Sequence, residues 1–156
     1  RIDQRNLIAE MQQAGYRVVY DQTQLSQMKL GKNEKLLGLF NTSHLNYDLD
    51  RTKKNLPEPS LKQMTLAALD ILTQNKNGFF LMVEGGRIDH ALHDTNAKRA
   101  LQDTIALNEA LDATIKKLRQ SDPELKNTLI VITADHDHTL ILNGYAKRTG
   151  KYVQGQ

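Results

Sequence analysis

Glu84, Asp89 and His93 fall within ten residues, and Asp135, His136 and His138 within four. With His90, these segments hold four of the five histidines in the 156-residue chain. Asp89 and His93 are four apart, so one helical turn or a tight loop can aim both at one point. A carboxylate oxygen beside an imidazole nitrogen suits Zn²⁺. Glu84 offers oxygen alone, which suits a harder ion such as Mg²⁺. Asp135 and His136 are adjacent and can chelate only where the backbone bends; the small Ala134 before them eases a bend. Taken singly, each segment also reads as a helix cap or polar loop beside a surface histidine. Taken together, two ligand sets in one cleft meet the requirement of a two-metal phosphoryl-transfer site, where cations neutralise charge around phosphorus.

Both segments follow apolar runs. Phe79 to Val83 and Thr128 to Thr133 lack polar alternation, the pattern of strands buried on both faces of a parallel sheet. Parallel strands leave a sheet at the same edge, where open α/β sheets bind ligands. Gly85-Gly86 permits a sharp turn that returns Asp89 and His93 over that rim. If residues 136 to 138 stay extended, His136 and His138 share a side. His136 then faces a metal while His138 donates to a carboxylate such as Asp89. The ligand groups should converge within roughly 10 Å, given the about 3.5–4 Å spacing of paired metals.

The remaining elements fit the same architecture. Ile2, Leu7, Ile8 and Met11 suit one helical face ending near Gly15. Tyr16 to Tyr20 and Leu36 to Phe40 read as short strands, with a helical turn over Thr23 to Met28 between them. Asn41 to Pro59 reads as a long loop with a solvated basic cluster at Arg51 to Lys54. Ser60 and Gln63 form a capping-box pattern ahead of Leu61, Met64, Ala68, Ile71 and Leu72. Ala97, Leu101, Ile105, Asn108, Leu111, Ile115 and Leu118 mark a long amphipathic helix. Alternating strands and helices predict an α/β fold with a mostly parallel sheet flanked by helices.

Hydrophobic content of 39% with 25% charge describes a globular chain, and 156 residues fit a single domain. No apolar run approaches the roughly 20 residues of a membrane span. Arg1 to Arg5 do not read as a signal peptide. With no cysteine, a metal site must use histidine and carboxylate. The net charge is +3, and no basic stripe interleaves with aromatics, so nothing points to nucleic acid.

"GFFLMVEGGRIDHALHDTNAKRALQDTIALNEAL" and "NTLIVITADHDH" resemble the metal-binding core of alkaline phosphatases. "LLGLF", "PEPSLKQMT" and "NGY" look like the same family. The resemblance spans roughly Leu36 to Tyr145. It implies a phosphomonoesterase with two Zn²⁺ sites and one Mg²⁺ site, located in the periplasm or outside the cell, with a homodimer as one implied assembly. Glu84 matches the magnesium ligand. Asp89 and His93 match ligands of one zinc, and Asp135 and His136 ligands of the other. His138 matches a second-sphere histidine supporting a ligand aspartate, and His90 lies beside the magnesium site.

The departures are equally specific. The family nucleophile is a serine in an Asp-Ser-Ala setting, and Ser26, Ser43, Ser60 and Ser121 all lack that context. The bridging aspartate, the phosphate-binding arginine and the last zinc histidine find no match either. The chain is therefore expected to be the middle-to-late portion of a larger domain, and inactive alone. Phe40 and Glu58 match two calcium contacts of some animal members, but Asn41 stands where an acid is expected. Two rivals remain at this point: another metal-dependent phosphoesterase, and a non-catalytic metal-binding or interaction module.

Overall fold

The computed structural model describes residues 5–141. The expected start of the first helix at Ile2 and the "NGY" match at residues 143–145 lie outside them. The order is α1 (Leu7–Gln13), β1 (Tyr16–Val19), α2 (Gln22–Gln27), β2 (Lys35–Gly38), α3 (Asp48–Lys53), α4 (Leu61–Leu72), α5 (Arg87–His93) and α6 (Ala97–Leu118).

The fold is α/β, and its two-stranded sheet is parallel, as expected. β1 pairs with β2 from Tyr16↔Lys35 to Val19↔Gly38. Asp21 starts the crossover helix α2 by accepting the Gln24 amide, 2.7 Å. Val19, Leu25 and Ala67 form the core beneath this sheet, with Met28, Leu36, Phe40 and Met64 packed around them. The Ser60 capping box is present in both directions at the start of α4.

A second core lies under the histidine segments. Tyr47, Ala91 and Ala100 are buried together, with Leu92 packed on them. It joins α3, α5 and α6.

Three expectations change. Residues 41–59 are not all loop, because α3 lies within them. Its N-cap residue Tyr47 supplies no side-chain bond. The carboxylate of Asp103, on α6, accepts the Asp48 amide instead, at 3.3 Å from each oxygen. Such a cap comes from 55 residues away, so local sequence could not show it. Arg51 and Lys53 occupy the last turn of α3, and Arg51 binds Asp48 at 2.6 Å with both side chains largely buried.

The buried face of α6 is also rotated from the expected one. It consists of Ala100, Asp103, Ala106, Ala110 and Ala113, with Leu118 at its end. Leu101 and Ile105 are exposed. This face of small side chains belongs to the helix that contacts both α4 and α5.

Residues 79–83 and 128–133 join no ladder among the described residues. A strand requires a hydrogen-bonded neighbour, and here none pairs with them. Phe80 and Leu129 are both 87% exposed. The expected burial of these two runs on both faces of a sheet is therefore not met, and among the described residues β1 and β2 form the only sheet. No described helix is long and apolar enough to cross a membrane.

Candidate metal centre

The turn at Gly85-Gly86 brings the first segment against α6. A Cβ at Gly85 would sit 3.0 Å from Ile88 Cδ1 and 3.3 Å from Leu107 Cδ2, so the absence of a side chain permits that packing. A Cβ at Gly86 would sit 3.1 Å from Glu84 Oε1. α5 begins at Arg87 directly after this turn and carries Asp89, His90 and His93.

Asp89 is the meeting point of the two segments. Its Oδ1 lies 3.5 Å from His93 Nε2, 3.8 Å from His136 Nε2 and 3.9 Å from His138 Nε2. The same oxygen is buried and has no hydrogen-bond partner. A buried carboxylate oxygen left unpaired is costly unless a charge or donor completes it. Ligand atoms of Asp89, His93 and His138 all lie within 4.8 Å of one another. The donor set, one orphaned carboxylate oxygen among imidazoles, suits a divalent cation such as zinc.

The imidazoles are not equivalent. His136 Nδ1 lies 2.7 Å from the Asp137 carbonyl. A carbonyl only accepts, so Nδ1 carries the proton and neutral His136 presents a free Nε2 lone pair. His138 is the reverse. Its Nδ1 accepts the Thr139 amide at 3.0 Å, so its neutral form carries the proton on Nε2, facing Asp89. Neutral His136 thus offers an Nε2 lone pair, and neutral His138 an Nε2 proton. The same Asp137 carbonyl, followed by the nearby Asp135 charge, raises the pKa of His136.

His90 faces elsewhere. Its Nδ1 accepts from Arg87 at 2.6 Å, and its ring meets His44 edge-on at 4.4 Å between centroids. Asp135 Oδ2 is 3.5 Å from His136 Nε2, but its side chain is 89% exposed. Glu84 is exposed and outside the Asp89 group. Glu58 lies apart from these residues, buried, with its oxygens taken by Asn41 Nδ2 at 2.5 Å and by Asn46 N and Nδ2 at 2.9 Å. Three N–H donors hold this carboxylate.

Sequence reasoning did not find His44, Tyr47 or Asp94. Tyr47 donates to Asp94 Oδ2 at 2.9 Å, and the Arg87 guanidinium lies 3.9 Å from the Tyr47 ring centroid. Its aromatic ring just ahead of Asp48 and Asp50 was the one available signal, in a stretch expected to be loop.

The alkaline phosphatase family model matches residues 1–156. The chain belongs to the alkaline phosphatase family. It is 39% identical over 154 residues to "Membrane-bound alkaline phosphatase" of Bombyx mori, covering 95% of this chain and 27% of that one. It is 43% identical over 132 residues to "Alkaline phosphatase 4" of Bacillus subtilis, covering 85% and 26%. The solved structure of Thermus thermophilus alkaline phosphatase is similar with a TM-score of 0.71 at 38% identity, covering 77% of this chain and 25% of that one. The chain thus spans about a quarter of the length of these alkaline phosphatases. Membership removes the rival phosphoesterase families.

Proposed function

We propose that this chain supplies the metal-holding part of a Zn²⁺- and Mg²⁺-dependent phosphatase acting on phosphate monoesters. The observation that carries the reading is the buried, unpartnered Asp89 Oδ1 faced by three imidazoles from two distant segments. Asp89 and His93 would hold one zinc, Asp135 and His136 the other, and Glu84 the magnesium. When bound, the cations supply charge neutralisation for the phosphoryl group.

The chain's own residues do the positioning. His138 presents an Nε2 proton 3.9 Å from Asp89 Oδ1, and a closer approach would orient that carboxylate. His136 keeps its lone pair free because Asp137 holds its other proton. Arg87 fixes His90. His136 must be neutral to ligate, and its pKa lies above the ordinary value. Metal affinity therefore falls as pH drops through that raised pKa.

The hydroxyls of Ser26, Ser60 and Ser121 are engaged in local bonds to Thr23 O, Gln63 and Leu118 O. In this reading the nucleophile comes from outside this chain, within one larger domain. The reading also places the protein in the periplasm or outside the cell and admits a homodimer. Each zinc would take two ligands from this chain, against the usual four, so binding here is weak and water-rich.

The test is zinc titration of the chain and its Asp89→Ala variant, alongside p-nitrophenyl phosphate hydrolysis. Zinc uptake lost in the variant, without turnover by the chain, supports the reading. Robust metal-dependent turnover by the verified 156-residue chain overturns the outside nucleophile. Unchanged zinc uptake in the variant overturns the metal site.

A further inference from the structure

α5 has seven residues and carries Asp89 and His93. Helices this short are not stable on their own, since nucleation costs more than two turns of hydrogen bonds return. Its own caps are sparse: the N-cap Gly86 offers no side chain. Something outside the helix must hold it.

Tyr47 touches both of its ends. The Arg87 guanidinium, at the first helical residue, stacks on the Tyr47 ring at 3.9 Å. Asp94, the C-cap residue next to His93, accepts the Tyr47 hydroxyl at 2.9 Å. The ring is 7% exposed and packs in the core with Ala91, midway along α5, and Ala100 of α6. Arg99 of α6 lies 4.6 Å from the same ring and pairs with Asp50 of α3 at 2.8 Å. One side chain therefore spans the helix and ties it to α3 and α6.

We infer that Tyr47 is a positioning residue for the Asp89–His93 pair, acting as a clamp on both ends of α5. The inference rests on the metal-holding role proposed for α5. Loss of the hydroxyl frees Asp94 and the C-terminal end, beside His93. Loss of the ring also frees Arg87, and with it the turn ahead of Asp89.

The test uses the full chain with Tyr47→Phe, Tyr47→Leu, Asp94→Ala and Asp94→Asn. Amide exchange over residues 89–94 is measured without metal, and the visible spectrum and affinity with Co²⁺. Tyr47→Phe and Asp94→Ala should each speed exchange by about tenfold, the scale of one hydrogen bond to a charged group. They should alter the Co²⁺ spectrum and weaken Co²⁺ binding by about tenfold, the low end of outer-sphere losses. Their combination should add little, since both remove one contact. Asp94→Asn, which keeps a carbonyl acceptor, should restore most of both. Tyr47→Leu should exceed Tyr47→Phe; if it does not fold, the other three variants decide.

Exchange over 65–69 in α4 should stay unchanged. Unaltered exchange and an unaltered Co²⁺ spectrum in Tyr47→Phe and Asp94→Ala overturn the clamp. If Asp89→Ala leaves Co²⁺ binding intact, the metal reading fails while the metal-free exchange still decides whether Tyr47 holds α5.

Discussion

The two histidine segments are built in opposite ways. The first rides on α5, whose Ala91 is fully buried and whose ends are held by Tyr47. The second, residues 135–138, lies in no helix or strand, and all but His138 are exposed. Its order comes from short-range bonds: His136 to the Asp137 carbonyl, His138 to the Thr139 amide. Half of the centre is thus fixed by packing against a core, and half by tautomer choice within a loop. Packing sets where Asp89 sits, and the loop sets which imidazole nitrogens meet it.

That difference predicts unequal sensitivity. Asp89→Ala removes the one group common to both halves. Its loss of zinc affinity should exceed the roughly 10–100-fold that outer-sphere losses cost. Asp135→Ala should cost clearly less, since its side chain is 89% exposed and, among the described residues, pairs with His136 alone. Equal losses by calorimetry would erase the contrast between the halves.

His138→Ala sharpens it further. With its proton aimed at Asp89, His138 should behave as an outer-sphere donor, and its removal should cost about 10–100-fold in zinc affinity. A loss as large as that of Asp89→Ala would make it a ligand instead.

The packed half also has a purely structural lever. Leu69, 1% exposed in α4, supports the helical layer that α6 packs on. Leu69→Ala should cost about 2–5 kcal/mol in urea unfolding. It should leave the tautomers of residues 136 and 138 unchanged.

The smallest effect concerns Asp103. Burial, ahead of the Asp48 charge, raises its pKa, while the Asp48 amide opposes this. The folded chain therefore holds this proton to higher pH than the unfolded chain does. Stability from this group is present at low pH and falls as pH rises through the window between the two pKa values. Asp103→Asn should flatten that slope in urea unfolding between acid and neutral pH, while keeping an oxygen for the Asp48 amide. Asp103→Ala also loses the cap of α3 and should cost about 1 kcal/mol.

Much of this was legible beforehand. The Ser60/Gln63 capping box, β1, β2 and the extent of α6 are local signals, carried by hydrogen-bonding types and period. The gathering of Asp89, His93, His136 and His138 followed from two matched motifs after apolar runs. What local patterns could not show is made by distant partners. α3 depends on a cap from Asp103. The buried face of α6 follows the alanines, while Leu101 and Ile105 stay exposed. Tyr47 acquires its role only when Arg87, Asp94 and Arg99 converge on it. The runs at 79–83 and 128–133 show the converse: composition marked them as strands, but a ladder needs a neighbour.

The central claim is that both segments form one centre around Asp89, with His136 as ligand and His138 as donor. ¹⁵N imidazole NMR of the chain, above the raised pKa of His136 and during zinc titration, tests it most directly. The account predicts protonated Nδ1 in His136 and protonated Nε2 in His138 before metal. On zinc addition, the Nε2 signals of His93 and His136 should shift as ligands, while His138 keeps its Nε2 proton. Metal-type shifts at His138 Nε2, with His136 unchanged, would contradict it.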